Sequence, residues 1–110
     1  WRDCMWVLAE CDWRMYRDHP WVLHATASAR PPIGPNMLRG MEWALEAVEE
    51  LGLDTARAAT VVLAVATHVQ GAALICGTDG ELVAESGTDT RTWWRQRIAQ
   101  LPAAPPLIVA

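Results

Sequence analysis

The chain has 110 residues, enough for one small domain with its own apolar core and too few for two. Its formal net charge is −4, and its nine basic residues, all arginines, form no cluster. A nucleic-acid surface requires a basic patch, so this composition argues against DNA binding by these residues alone.

Residues 1–17 predict an amphipathic first helix. At helical spacing one continuous arc is apolar and includes Met5, Leu8 and Tyr16, while the charged residues occupy the opposite arc. Asp12 is the exception, because it lies in the middle of the apolar arc. An isolated carboxylate in such a place must find a partner or change its pKa.

Prolines and glycines divide the next stretch. Pro20 suits the first turn of a second helix running to Ala29, which the prolines after it would end. A third helix starts near Pro35, with apolar positions such as Met41 and Leu45 recurring every three or four residues. Gly52 is suited to end that helix in the left-handed conformation.

A long fourth helix is predicted from about Thr55 to Cys76, with Asp54 as its cap. We expect 77–87 to form a mobile loop or a frayed turn, because Gly, Asp, Ser and Glu occur there without periodicity. Thr88 or Asp89 would cap a last helix through Leu101. No stretch alternates as a strand does, so the predicted fold is all-α, an antiparallel bundle of about five helices.

The fourth helix is long and apolar enough to be considered as a membrane span. No charged residue occurs from Ala58 to Thr78, which is about the length that spans a bilayer. However, polar residues interrupt this stretch, and Ala and Val outnumber Leu in it. We expect a helix buried on most of its faces and no membrane span.

The cysteines indicate the compartment. Cys4, Cys11 and Cys76 are odd in number, and Cys4 and Cys11 would lie about 10 Å apart along one helix, beyond disulfide reach. Reduced thiols are typical of the cytoplasm, which is the location we expect.

Several residues are candidates for contacting a small molecule. Asp12 would be the polar anchor of an apolar pocket, holding a cationic or hydrogen-bond-donating ligand, unless an Arg, a Trp indole, a backbone group or water satisfies it. His68 would contact a ligand, meet a second copy or serve a structural role, and Gln70 has the same alternatives. Flexible thioethers suit a site that accepts several ligands, although they also fill ordinary cores. The complete predicted ligand-binding set is Met5, Leu8, Asp12, Tyr16, Met41, Leu45, His68 and Gln70.

Small side chains on the fourth helix favour close approach by another helix. This approach is either tight packing within one chain or an interface between two chains. The residues that we expect at a dimer interface are Thr60, Ala64, Thr67 and Gly71.

Several segments resemble the effector-binding half of TetR-type transcriptional repressors. The first two join helical stretches, the next two resemble the passage from the family's third to its fourth helix, and the last resembles its trailing helix. These segments are 17–21, 30–36, 42–53, 68–71 and the helix with Trp93 and Trp94. The resemblance implies one effector-binding domain over residues 1–110, a fragment of a longer chain whose N-terminal helix-turn-helix is absent here.

The same resemblance implies a function. A hydrophobic or aromatic small molecule, with or without a positive charge, would bind the domain and control DNA binding by a homodimer through the absent helix-turn-helix, with no membrane involved. One alternative is a stand-alone module that binds or sequesters small molecules. Another is a structural helical domain without a ligand. We expect no catalysis, cofactor or metal, since no zinc-ligand spacing and no phosphate-binding glycine loop occurs.

Overall fold

The computed structural model describes residues 1–102, which form five α-helices and no strand. The prediction of an all-α fold is confirmed. Two compact units divide the chain, Trp1–Leu74 and the residues from Ile75 onward. The helices are α1 (Arg2–Asp18), α2 (Pro20–Thr26), α3 (Pro35–Ala47), α4 (Thr55–Ser86) and α5 (Thr90–Ala99), with a 3-10 turn at Glu49–Leu51.

Helix α1 begins and ends where its periodicity predicts, and α2 begins at Pro20 as expected. Helix α2 is shorter than predicted, however, because it ends at Thr26 instead of Ala29. The side chain of Ser28 accepts a hydrogen bond of 3.1 Å from the backbone N–H of Arg30. This local bond offers the backbone an alternative to the helix and holds the chain in a bend.

Helix α3 tightens into the 3-10 turn before it reaches Gly52. That glycine has a φ of 64°, the left-handed conformation predicted for it. Asp54 then caps α4 as expected, since its carboxylate accepts a hydrogen bond of 2.9 Å from the backbone N–H of Arg57.

The predicted loop at 77–87 is wrong, because α4 continues through it to Ser86. Gly77 and Gly80 weaken a helix, but strong helix formers such as Leu82 and Ala84 follow them and compensate. The helix ends only at Gly87, whose φ of 70° no longer belongs to a right-handed helix.

The unit from Ile75 onward holds the end of α4 together with α5. Asp89 is the N-cap of α5, as predicted: its carboxylate accepts hydrogen bonds from the backbone N–H of Thr92 at 3.0 Å and from the Thr92 hydroxyl at 2.7 Å. The hydroxyl of Thr90 donates to Asp79 on α4. The contact between Thr90 and Asp79 joins the two helices of this unit.

By length and composition alone, α4 would be long enough and apolar enough to cross a membrane. Only a minor share of its most apolar stretch is buried within this chain, which differs from the expectation of a helix buried on most faces. In a soluble protein, apolar helix surface of this extent is typical of a contact with a further partner.

Candidate functional site

The apolar interior of the first unit consists of two separate clusters. The first, here the Val48 cluster, joins α1, α3 and α4. The second, here the Leu23 cluster, joins α1, α2 and α4. The buried members of the Val48 cluster are Met5, Ala44, Val48, Ala58 and Val62, and those of the Leu23 cluster are Tyr16, Leu23 and Val69.

Four of the predicted ligand-binding residues meet in the Val48 cluster. Met5 is only 5% exposed, and Leu8, Met41 and Leu45 are half-buried against the same group of side chains. Helices α1 and α3 bring these four residues together, and α4 contributes Ala58 and Val62 to the same cluster. Each of the four therefore contributes to packing, whatever else it contacts.

Tyr16 and Gln70 form a second pair from the predicted set. Tyr16 is 6% exposed, and its hydroxyl accepts a hydrogen bond of 3.3 Å from the side-chain nitrogen of Gln70. The bond links α1 to α4 beside the Leu23 cluster, where Val69 precedes Gln70 on the helix. It satisfies a phenol that is otherwise surrounded by apolar side chains.

Asp12 is half-buried on the same helix and belongs to neither cluster. Among residues 1–102 its carboxylate makes no hydrogen bond or ion pair. Burial raises the pKa of this carboxyl group above its ordinary value, because desolvation disfavours the charged form. The expected position of Asp12 within the apolar arc of α1 is therefore confirmed, and no protein partner satisfies it within the part of the chain that the structure describes.

The predicted dimer residues all lie on one exposed face of α4, as does His68. The opposite face of α4 is buried in the interior through Ala58, Val62 and Val69. Two leucines lie on the outward side too, Leu63 at 51% exposed and Leu74 at 49%. This surface, here the outward face of α4, carries no charge from Thr60 to Leu74 and comprises Thr60, Leu63, Ala64, Thr67, His68, Gly71 and Leu74.

His68 is exposed on this face, away from Met5 and Tyr16, which are buried in the two clusters. Gln70 is half-buried and points inward to Tyr16. Of the three alternatives for His68, its exposed position on this face suits contact with a second copy better than contact with a ligand inside the first unit or a structural role in the interior.

An open groove on α3 was not predicted. Its floor is apolar and its rim carries three glutamates, which attract positive charge. The lining residues are Leu38, Met41, Glu42, Leu45, Glu46 and Glu49. The glutamates recur at three- and four-residue spacing, and this spacing beside apolar positions was the sequence signal that would have revealed the groove. Because α3 and the turn after it supply every lining residue, the groove is a feature of one surface.

In the second unit, α5 carries two adjacent exposed aromatics. The rings of Trp93 and Trp94 meet edge to face with centroids 5.1 Å apart, and the Arg97 guanidinium lies 5.4 Å from the Trp93 ring centroid. Their mutual contacts fix the two rings against each other. They remain largely open to solvent, at 44% and 55% exposed.

Side chains that ligate metals do not cluster in residues 1–102. No group of three His, Cys, Asp or Glu side chains there could hold a metal ion. Cys4, Cys11 and Cys76 are free thiols, consistent with the separation predicted for the first two.

Comparison with known proteins shows which protein family the chain matches. A family model described as "Tetracyclin repressor-like, C-terminal domain" matches residues 1–106. The chain is also similar to a protein described as "HTH-type transcriptional repressor DrrR1" from Streptomyces coeruleorubidus, with 29% identity over 101 residues. That alignment covers 92% of this chain and 37% of the relative, so the chain spans little more than a third of the length of the protein it matches. No solved structure matches the chain.

Proposed function

This chain belongs to the family of tetracycline-repressor-like C-terminal domains, and we propose that residues 1–110 are the effector-binding and dimerisation domain of a transcriptional repressor. A helix-turn-helix elsewhere in the longer protein binds DNA, and a small molecule bound here alters that binding. The protein acts in the cytoplasm, where repressors of this kind work as soluble proteins.

The observation that carries the dimer is the outward face of α4. Seven neighbouring residues without charge, two of them half-exposed leucines, are costly to leave in water when no partner covers them. Gly71 lies within this face, and apart from its chain neighbours and the backbone of its own helical turns, no described atom would lie within 4 Å of a Cβ added there. Small side chains let the backbones of two helices approach closely. The occupant that we propose is α4 of a second copy.

The effector half of the proposal rests on the interior of the first unit. We propose that a hydrophobic or aromatic small molecule binds among Met5, Leu8, Met41 and Leu45 on one side and Tyr16 and Gln70 on the other, with Asp12 between them. The apolar side chains bury its body, and the polar groups orient it. His68 belongs to the dimer surface in this proposal.

Binding would control DNA only through a difference in affinity between two arrangements of the dimer. Gln70 supports such a link, because it hydrogen-bonds to α1 on one side while its neighbour Gly71 lies on the outward face. A ligand that displaces this bond would change how α1 and α4 are held together. The change would then reach the helix that contacts the second copy.

The experiment measures assembly. Ala64→Glu places a carboxylate in the middle of the outward face, where it would meet its symmetry mate. Ala25→Glu on α2 is the control, because Ala25 is also exposed and the charge change is identical. Analytical ultracentrifugation is expected to show a dimer for the wild type and for Ala25→Glu. For Ala64→Glu the dissociation constant of the dimer should be at least about tenfold larger.

A wild-type chain that sediments as a monomer at all concentrations would overturn the dimer proposal, as would a dimer unaffected by Ala64→Glu. Partition of the wild type into lipid vesicles, without assembly in solution, would assign the apolar face to a membrane instead. Thermal shift against a panel of small molecules tests the effector half, since a bound ligand stabilises the folded state by mass action.

A further inference from the structure

Helix α5 carries a basic surface around an exposed aromatic ring. It holds three arginines and no acidic residue, although the chain as a whole has a net charge of −4. Arg91, Trp94 and Arg97 recur at three-residue spacing, so they lie on one face of the helix, and all three are exposed. This surface, here the Trp94 face, presents an indole with a positive charge on either side.

The Trp94 face has no acidic partner in the part of the chain that the structure describes. None of the ion pairs there includes Arg91 or Arg97, and the latter contacts only the ring of Trp93. Trp94 is 55% exposed, and burying an indole of this size in a contact removes much apolar surface from water. Tryptophan and arginine are also the residue types most enriched where protein interfaces gain their binding energy.

The groove on α3 has the complementary character. Its floor is apolar, and its rim carries three exposed glutamates, none of which forms an ion pair among residues 1–102. Like charges three or four residues apart on a helix repel each other and weaken it. A positively charged partner would relieve this repulsion. The rim consists of Glu42, Glu46 and Glu49, and the floor consists of Leu38, Met41 and Leu45.

The charges of the two surfaces also have similar separations. Arg91 and Arg97 are about 9 Å apart along the axis of α5. Glu42 and Glu49 are about 11 Å apart along α3 and the 3-10 turn that follows it. When the two helices lie along each other, an arginine–glutamate pair can therefore form on either side of Trp94 at the same time. The indole between the two pairs then faces the apolar floor.

We propose that the α3 groove of one copy binds the Trp94 face of a second copy. The two arginines pair with glutamates of the rim, and the indole packs on the floor. A second copy is the occupant because this one chain supplies both surfaces, with opposite charge and matched spacing. The inference goes beyond the proposed function, whose dimer contact uses the outward face of α4 alone.

Exchanging the charges of the two surfaces tests this contact. The groove variant combines Glu42→Arg with Glu49→Arg, and the α5 variant combines Arg91→Glu with Arg97→Glu. Two copies of either variant bring like charges together, so analytical ultracentrifugation should give each a dissociation constant for self-association at least about tenfold above that of the wild type. An equimolar mixture of the two variants restores opposite charges between copies and should return to within about threefold of the wild type.

Two controls separate this contact from general effects. Glu81→Arg combined with Glu85→Arg changes the net charge as the groove variant does, at two exposed glutamates of α4, and should leave self-association unchanged. Trp94→Ala should weaken self-association without a change in charge. Trp21→Ala removes an exposed indole from α2 and should not weaken it. Circular dichroism confirms that each variant is helical, and the single reversals Glu42→Arg and Arg91→Glu replace a double variant that loses helix.

The outcomes separate this contact from the α4 dimer. The contact is overturned if the charge-exchanged variants assemble as the wild type does, if their mixture stays as weak as either alone, or if the Glu81 and Glu85 control weakens equally. Sensitivity to Ala64→Glu without sensitivity to the charge exchanges would leave only the α4 dimer standing. The reverse pattern, with rescue in the mixture, would support the present contact alone. A wild-type chain that remains a monomer would overturn both.

Discussion

The side-chain nitrogen of Gln70 lies 3.3 Å from the hydroxyl oxygen of Tyr16, and this hydrogen bond joins α1 to α4 across 54 positions of sequence. Tyr16 is almost completely buried, whereas Gln70 retains contact with solvent. The two partners therefore differ in what they lose when the bond is removed. When the bond is broken, water can hydrogen-bond to the amide of Gln70 more easily than to the buried hydroxyl of Tyr16.

Removing either partner is expected to destabilise the fold unequally. Tyr16→Phe deletes the hydroxyl and should cost about 1 kcal/mol in free energy of unfolding. Gln70→Leu leaves the buried hydroxyl without a partner and should cost more, about 1–3 kcal/mol. Urea unfolding followed by tryptophan fluorescence gives both values. The double variant should lose less than the sum of the two, and strict additivity would show that the residues do not interact.

As a control, Gln96→Leu removes the same chemical group from an exposed position on α5. Surface substitutions of this kind stay within about 0.5 kcal/mol of the wild type. A Gln96→Leu effect as large as that of Gln70→Leu would mean that the loss at Gln70 comes from the change in side-chain chemistry, independent of the bond to Tyr16.

Asp12 gives the stability of the protein a pH dependence of known sign. Burial raises the pKa of this carboxyl group, so the folded chain binds the proton more tightly than the unfolded chain does. Its contribution to stability therefore decreases as the pH rises from the ordinary aspartate pKa, about 4, through the higher pKa of the folded state. Asp12→Asn should remove this component and should be at least as stable as the wild type at neutral pH.

The measurement is a series of urea titrations across acidic and neutral pH, with Asp3→Asn as the exposed counterpart on the same helix. The difference in unfolding free energy between Asp12→Asn and wild type should grow with pH. A difference that is constant with pH, or that shrinks as the pH rises, would contradict the assigned direction.

Asp89 should act in the opposite direction. The Thr92 hydroxyl and the Thr92 backbone N–H donate to its carboxylate, and they lower its pKa. The folded state thus binds the proton less tightly, and the stabilisation, present above the ordinary aspartate pKa, is lost as the pH falls through the lowered one. Asp89→Ala should reduce helix content measured by circular dichroism at neutral pH. Its difference from wild type should vanish in acid.

Two glycines near the end of α4 should respond in opposite ways to the same substitution. Gly80 is inside the helix, and an added Cβ would meet open space, so Gly80→Ala should stabilise by about 0.5–1 kcal/mol. Gly87 has a φ of 70°, which an alanine adopts at a cost, so Gly87→Ala should destabilise by about 1 kcal/mol. Thermal melts of both variants test the pair, and a shift of the same sign in both would contradict it.

The helix starts and the position of Asp12 were predictable because they depend on local features. Pro20 and Pro35 begin helices, Gly52 ends one, and the periodicity of α1 places its carboxylate among apolar residues. Such features act within one or two turns of the chain, where sequence spacing is directly readable.

The sequence did not predict where α4 ends or which residue Gln70 contacts. Gly77 and Gly80 suggest a break when taken alone, but the cost of each is small compared with the propagation of a long helix. The bond from Gln70 to Tyr16 depends on how two distant helices pack, and no local pattern specifies that distance. The acidic rim of the groove was visible as a spacing of glutamates, but its depth depends on side-chain packing.

The division of the interior into two clusters has a consequence for how the first unit opens. Helix α1 is anchored by Met5 at one end and by Tyr16 at the other, with the half-buried carboxylate of Asp12 between them. The Tyr16 end can therefore detach with α2 while Met5 stays in place. Native-state amide hydrogen exchange should then resolve two classes of protected amides along this single helix, and the changeover between fast and slow exchange should fall near Asp12.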